Sequence, residues 1–456
     1  MITRPPGPKG HFLLGSLPDF GADQLGFLRR QATDYGDIVY MRLAHLHVYL
    51  LAQPEAIREV LVTQSAKFEK APLDKKILGK FLGNGLLTSD GDFHRRQRRL
   101  AQPAFHTGRI QAYADVMVAY AQQLIAGWQP GQARDVAADM MHLTMQIVSK
   151  TLFDADAVTG RGNTAETIGQ AMHHLQAVTN HDYRRGFSPP DWLPTPDNRR
   201  RRKAVAAFNV TMERIIDERQ ATAVDGTITD TGDLLSMLML AQDEDGSVMD
   251  DRQLRDEVAT LFAAGHETTS NALSWTWYLL AQHPKAEAKL HQELDTVLSG
   301  RSPALDDLPN LPYALMVIKE ALRLYPPAWL LNGRIALEDV TISGYTLPKN
   351  SIAFISPYVM HHLPATFPDP DQFRPERFTP EREKALPRYA YIPFGGGPRI
   401  CIGNAFALME AHLILATIAQ RFRLSLLPGH TVIPDPQITL SPQGGLPMMV
   451  EERVVE

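Results

Sequence analysis

A hydrophobic period of 3.6 residues recurs along most of the 456 residues, and it confines the chain to folds in which helices supply the core. The pattern predicts helices near Leu25–Tyr35, Arg109–Trp128, Met140–Leu152, Thr164–Val178, Arg199–Gln220, Asp251–Gln282, Pro284–Leu298, Tyr313–Tyr325 and Asn404–Arg421. Strands are few and short, with the best runs at Ile38–Leu43, His47–Leu51, Tyr345–Leu347 and Ser351–Ile355 and short pieces after Leu424. The expected class is mainly α with small β-sheets, an α+β chain in which the sheet is a side feature. No fixed-period repeat or low-complexity block marks a boundary. Pro-rich patches such as Ser188-Pro189-Pro190-Asp191-Trp192 read as interhelical loops, so residues 1–456 are read as a single domain.

Hydrophobic residues make up 44% and charged residues 21%, the mix of a globular protein with ample apolar side chains for a core. With 46 basic against 51 acidic residues the net charge is -5, and no global basic field exists to neutralise a nucleic-acid backbone. The run Arg199-Arg200-Arg201-Arg202-Lys203 opens a predicted helix and reads as a solvated face. Early prolines break any signal-peptide core, and no run approaches the roughly 18 apolar residues that a bilayer-crossing helix needs. The expectation is a cytoplasmic protein without a nucleic-acid or membrane partner, and by default a monomer.

The chain has one cysteine, Cys401, so an intrachain disulfide is impossible. Its surroundings decide between an inert buried side chain and thiolate chemistry. It lies in Phe394-Gly395-Gly396-Gly397-Pro398-Arg399-Ile400-Cys401-Ile402-Gly403, just before the apolar-periodic helix from Asn404. At such a helix entrance the dipole and backbone N–H groups favour the thiolate, as does the charge of Arg399, and glycines let backbone approach the sulfur. A phosphate-binding loop is the rival reading, but no Gly-Lys-Ser/Thr follows. Within the long helix, Ala264-Gly265-His266-Glu267-Thr268-Thr269 sets small residues at mid-length. Glycine costs up to about 1 kcal/mol relative to alanine there, and a threonine hydroxyl competes for the carbonyl four residues back, so a local opening is expected. His266-Glu267 invites a zinc-protease reading, which Ser270 removes by standing where the second histidine belongs. Glu320 and Arg323 share one helix face, as do His94 and Arg98 in His94-Arg95-Arg96-Gln97-Arg98-Arg99. Alone, the Glu320–Arg323 pair is a surface feature worth under about 1 kcal/mol.

Together these stretches resemble the cytochrome P450 superfamily, and the resemblance extends from Pro5 to the 439–447 loop with the motifs in family order. It implies the family fold, a helix-rich triangular prism with haem between the long central helix and the Cys-ligand helix. It also implies that Cys401 ligates the iron of haem b, with Phe394 in the same loop. By the same resemblance His94, Arg98, Arg334 and Arg399 hold the propionates through charge-assisted bonds. His94 stands where a tryptophan often sits, although bacterial members frequently carry histidine. Glu267 and Thr268 fall on the acid and alcohol that relay protons toward dioxygen. Glu320 and Arg323, followed by Arg377 in Pro375-Glu376-Arg377-Phe378, fall on the residues that lock the core beneath the haem.

The implied activity is that of a haem-thiolate monooxygenase, which inserts one oxygen atom of O2 into an apolar substrate while the other leaves as water. Thiolate ligation favours O–O cleavage more than imidazole does. Resemblance places Leu87, Ala263, Ala264, Ala328, Trp329, Leu330 and Ile438 around the substrate, with Leu87 leaving room where bulkier aromatics can occur. Apart from the Trp329 indole N–H this lining is apolar, which suits a fatty acid, terpenoid or steroid-like compound. No flavin or iron–sulfur segment follows the haem region, so the expected donor is a separate ferredoxin or flavodoxin with its reductase, partly steered by Arg95, Arg96 and Arg99. A haem-thiolate peroxygenase or isomerase is the nearest alternative, and Glu267 and Thr268 argue against it. A haem sensor or carrier would need an output domain.

Overall fold

The periodic segments are helical in the computed structural model, which describes residues 4–153, 164–185, 188–221, 228–243 and 246–453. The elements divide between two units built from stretches far apart in sequence. One comprises Met1–Lys75, Lys319–Cys401 and Pro434–Ser441, and the other Lys76–Ile318, Ile402–Ile433 and Pro442–Glu456.

The first unit is built on a five-stranded sheet with strand order Ile38–Leu43, Leu46–Leu51, Ile352–Ile355, Arg334–Ala336, Phe68–Lys70. Leucine together with Val, Ile and Tyr dominates the longer runs, and these side chains suit a pleated, half-buried surface. The first two strands form a hairpin in which Leu43 pairs with Leu46, and Ala44 takes the positive φ of 54° that so short a turn demands. Leu46–Leu51 runs parallel to Ile352–Ile355, with Val48 opposite Ile352, and the other pairings are antiparallel. Tyr345–Leu347 pairs instead with Val340–Ile342 in a separate hairpin. Tyr49, Leu51, Ala353 and Ile355 pack with Ile57, Leu61, Met360 and Ile392 in one core. Ile392 lies two residues before Phe394, so this core anchors the start of the cysteine loop.

The second unit is organised on the helix Asp251–Gln282. Asp250 caps it by accepting the Gln253 N–H at 2.7 Å, and Pro284 opens the next helix. Helices Val136–Phe153, Pro196–Ala221 and Asn404–Ala419 pack along it. Close approach to the first of these needs Gly265, where a Cβ would lie 3.1 Å from Val148 Cγ2. Asn404–Ala419 is buried from Met409 onward but not in its first turn. A three-stranded antiparallel sheet of Ala133–Asp135, Pro447–Glu452 and Phe422–Leu426 completes the unit.

Three boundaries depart from the periodicity, one of them the helix expected over Thr164–Val178, which runs on to Arg185. The segment expected as one helix over Arg109–Trp128 is two, Thr107–Gln111 and Ala114–Ala126. The N–H groups of Ala112 and Tyr113 bond three residues back, a tighter turn, and the Tyr113 hydroxyl is tied to Gly232 O. Val136–Phe153 begins before Met140 because the Asp135 carboxylate accepts the N–H groups of Ala137 and Ala138. No helix among the described residues is long and apolar enough to cross a membrane.

Candidate active site

The cysteine loop is supported by a buried ionic knot. Glu320 and Arg323 are both 0% exposed, and Arg323 Nε and Nη2 donate to the two Glu320 carboxylate oxygens at 2.7 and 2.8 Å. The remaining guanidinium hydrogens go to the carbonyls of His361, Pro370 and Gln372 at 2.9, 2.7 and 3.1 Å. Glu320 also accepts the Arg374 N–H at 2.9 Å and Arg377 Nε at 3.3 Å. A buried ion pair is tolerable only when its lone pairs and protons are occupied in this way. The expected structural role of Glu320, Arg323 and Arg377 thus has a geometry.

His361 carries that rigidity to the loop, a link the sequence reading missed. Its Nδ1 bonds Arg323 O at 3.2 Å and its Nε2 accepts the Ile392 N–H at 2.9 Å, an arrangement that needs the neutral ring. Burial holds its pKa well below the ordinary range, and the Arg323 charge acts in the same sense. Beyond Ile392 the chain folds on itself, with Gly395 N–H on Ile392 O and Cys401 N–H on Phe394 O, both at 3.0 Å. Gly395 and Gly397 have φ of 72° and 65°. A side chain at Gly397 would overlap the Leu61 carbonyl, and one at Gly396 would lie 2.6 Å from the Tyr389 ring. The loop therefore presents Cys401 exposed, with Phe394 and Arg399 half-buried beside it in sequence.

Arg334 sits in the main sheet between Lys70 and Ala353, and its Nη1 donates to Asn332 O at 2.7 Å. Ala328 and Leu330 are half-buried, while Trp329 between them is buried and donates its indole N–H to Gln437 O at 2.8 Å. That bond braces the segment carrying Ile438, which is half-buried.

On the long helix the acid and the alcohol occupy its open stretch. Ala264 is exposed and Ala263, Glu267 and Thr268 are half-buried, whereas His266, Thr269 and Ser270 are buried. The expected local opening does not break the helix, which runs unbroken from Asp251 to Gln282. Hydroxyls instead cover the carbonyls of the weak turn. Thr268 Oγ1 donates to Ala264 O at 2.8 Å, Ser270 Oγ to Glu267 O at 2.9 Å, and Thr144 Oγ1, from the neighbouring helix, to His266 O at 2.9 Å. His266 bonds Phe262 O at 2.8 Å, and burial lowers its pKa, so it stays neutral. Glu410, on Asn404–Ala419, is a further acid that the sequence reading passed over. Burial pushes its carboxyl up to about 8, with the Thr269 hydroxyl acting in the opposite sense. The available signal was an acid, Glu410, two residues before His412 inside a largely apolar helix.

His94 and Arg98 share a face of the helix Gly91–Ala101; His94 is buried, and Arg98 Nε donates to Gln102 Oε1 at 2.9 Å. Leu87 is half-buried in the preceding loop. The basic residues expected to steer a donor protein are engaged within the chain. Arg96 bonds Asp243 at 2.9 Å and Ser247 at 2.8 Å, Arg99 pairs with Asp243, and Arg95 with Asp92. Three arginines thus face two carboxylates, which leaves one net positive charge for a steering patch built on them.

The donor set suits a haem. Cysteine is among the most buried residue types, yet here a braced loop leaves it exposed as a soft donor at the entrance of an apolar helix, with a guanidinium two residues away in sequence. The comparisons with known proteins agree. The model of the family described as Cytochrome P450 matches residues 5–447. Cyclooctatin synthase of Streptomyces melanosporofaciens is 43% identical over 92% of this chain and 89% of its own length. Cyclooctat-9-en-7-ol 5-monooxygenase of the same organism is 40% identical with the same coverage. Pentalenene oxygenase of Streptomyces avermitilis is 36% identical over 88% of this chain and 87% of its own. With the ionic knot, the glycine-built cysteine loop and the acid–alcohol turn in place on a mainly α scaffold, the chain belongs to the cytochrome P450 family of haem-thiolate monooxygenases.

Proposed function

We propose that this enzyme oxygenates a terpenoid substrate, with haem b as its prosthetic group and electrons from a separate ferredoxin or flavodoxin. The observation that carries the reading is the exposed Cys401 on a loop braced by its own backbone bonds and by His361. The terpenoid class rests on the names of the relatives, two linked to cyclooctatin and one to pentalenene, together with the apolar lining.

When bound, the haem supplies the oxidation of the substrate carbon, and thiolate donation favours O–O cleavage. Cys401 would ligate the iron, and His94, Arg98, Arg334 and Arg399 would bind the propionates. Thr268 keeps a hydroxyl on the open turn, and Glu267 beside it exchanges protons with solvent, so the pair delivers protons at a controlled rate. Leu87, Ala263, Ala264, Ala328, Leu330 and Ile438 exclude water and orient a hydrocarbon. Trp329 braces the segment next to Ile438 through its bond to Gln437 O.

Two measurements test the reading. The ferrous carbonyl complex should show the red-shifted Soret band of thiolate ligation, and Cys401→Ser should lose it; a nitrogen-type spectrum in the wild type refutes the haem assignment. Titration of the ferric holoenzyme with cyclic sesquiterpenes and diterpenes, fatty acids and steroids should displace the iron-bound water most strongly with the terpenes. A stronger response to fatty acids or steroids overturns the terpenoid class alone.

A further inference from the structure

Two buried carboxylates on the long helix take no part in the chemistry above. Asp256 is 5% and Glu257 0% exposed, and buried carboxylates persist only where hydrogen bonds or ion pairs replace water. Both turn to the same short segment. Asp256 Oδ2 accepts the Asn84 N–H at 2.8 Å, and Glu257 Oε2 accepts the Leu86 N–H at 2.9 Å. Arg255 balances part of the charge by donating to Asp256 Oδ1 at 2.6 Å. Between and before these pins stand glycines. Gly83 has φ of 62° and its Cβ would overlap the Asp256 carboxylate, while a Cβ at Gly85 would lie 2.6 Å from Asp256 O and overlap the Thr260 hydroxyl. The backbone thus lies directly on the helix. Thr88 closes the segment with its hydroxyl on Gly83 O at 2.8 Å and its N–H on Gly85 O at 3.0 Å. Leu87 is held between the pinned Leu86 N–H and this closure.

The helix period gives the arrangement its consequence. At 3.6 residues per turn, positions seven and eleven residues apart return to one face, so Glu257, Ala264 and Thr268 share a stripe, with Glu257 about 16 Å from Thr268 along the axis. One unbroken helix therefore carries both the anchor of the Leu87 segment and the alcohol of the open turn. We propose that Asp256 and Glu257 are specificity-determining positioning residues, which hold the Asn84 and Leu86 amides and so fix where Leu87 meets the substrate and which carbon is oxidised. The proposal rests on the monooxygenase reading and on Leu87 lining the substrate space.

The test compares Glu257→Leu, which removes the acceptor, with Glu257→Gln, which keeps one, and with Gly85→Ala, which lifts the segment by pressing on the Asp256 carbonyl and the Thr260 hydroxyl and leaves both carboxylates in place. The probes are limonene, with its several distinct oxidisable carbons, and the haem ligands imidazole and 4-phenylimidazole, which differ in bulk. In Glu257→Leu and Gly85→Ala holoenzymes with intact carbonyl spectra, the limonene regioisomer ratio and the ratio of the two ligand Kd values should each shift at least about fivefold. Glu257→Gln should stay within about twofold. Both ratios unchanged in both variants overturn the proposal and leave the enzyme assignment standing, whereas a wild type without a thiolate carbonyl spectrum defeats the underlying reading. Amide exchange on the wild-type holoenzyme needs no variant: protection of Asn84 and Leu86 at least about tenfold above that of exposed loop amides is expected, and exchange at loop rates overturns the pinning.

Discussion

Thr268 and Thr269 are adjacent in sequence, yet the helix gives them different surroundings: Thr268 is half-buried on the open stretch, and Thr269 is 3% exposed against the core. Only the first has the exposure that the proposed proton delivery requires. Replacing Thr268 by valine keeps the volume and removes the hydroxyl. Product formed per electron pair should fall by about tenfold or more, with hydrogen peroxide rising in its place, while Thr269→Val should leave that ratio near the wild-type value. Equal uncoupling in the two variants would reject the assignment. The motifs around Thr268 and Cys401 stand out in the sequence because the chemistry proposed for them depends on neighbours within a few residues. Trp329 stands out less. Its indole N–H goes to a carbonyl more than a hundred residues away, a partner that no local pattern announces. The same holds for Arg96 and Arg99, which read as a basic surface until Asp243 is seen beside them.

At the level of elements, the long helix was readable at both ends, since Asp250 and Pro284 are explicit start signals around an apolar run. The turn over Ala112 and Tyr113 was not, because a tether from Tyr113 to Gly232 decides it. The Glu320–Arg323 helix lies between these cases: its motif was visible, but its burial was not. That burial fixes what a substitution does. In Glu320→Gln the charge that Arg323 and Arg377 both face is gone while the guanidinium of Arg323 stays out of water, and breaking such a pair costs roughly 3–5 kcal/mol. Against a total stability of about 5–15 kcal/mol the loss is severe. Denaturant unfolding should show it, and the haem-to-protein ratio should fall with it through His361 and the cysteine loop. A loss under about 1 kcal/mol would mean that the knot is not a support of that loop.

Over the whole molecule, buried ionisable groups of opposite kinds set the pH range of stability. Among the described residues His266, His291, His361, His362 and His412 all have pKa values held down, with burial the leading cause, and His291, His362 and His412 reach about 4. Below the ordinary value of about 6.5 the unfolded chain takes up protons that the folded one refuses, so stability falls with falling pH between roughly 6.5 and 4. His362 and His412 alone account for about 3 kcal/mol each across that window. Glu410 works the other way: its carboxyl is raised to about 8, so the unfolded chain releases its proton first and stability falls as pH rises from about 4.5 to 8. The two sets leave a maximum slightly below neutrality. Melting temperatures measured from pH 4 to 9 should trace a dome with its acid limb set by the histidines. Glu410→Gln should flatten the alkaline limb, its gain over the wild type growing by a few kcal/mol between pH 5 and 8.5, and should steepen the acid limb above about pH 4.5, where the wild-type carboxyl opposes the histidines. If Glu410→Gln shifts stability by the same amount at both pH values, Glu410 is not the buried neutral acid that its surroundings make it.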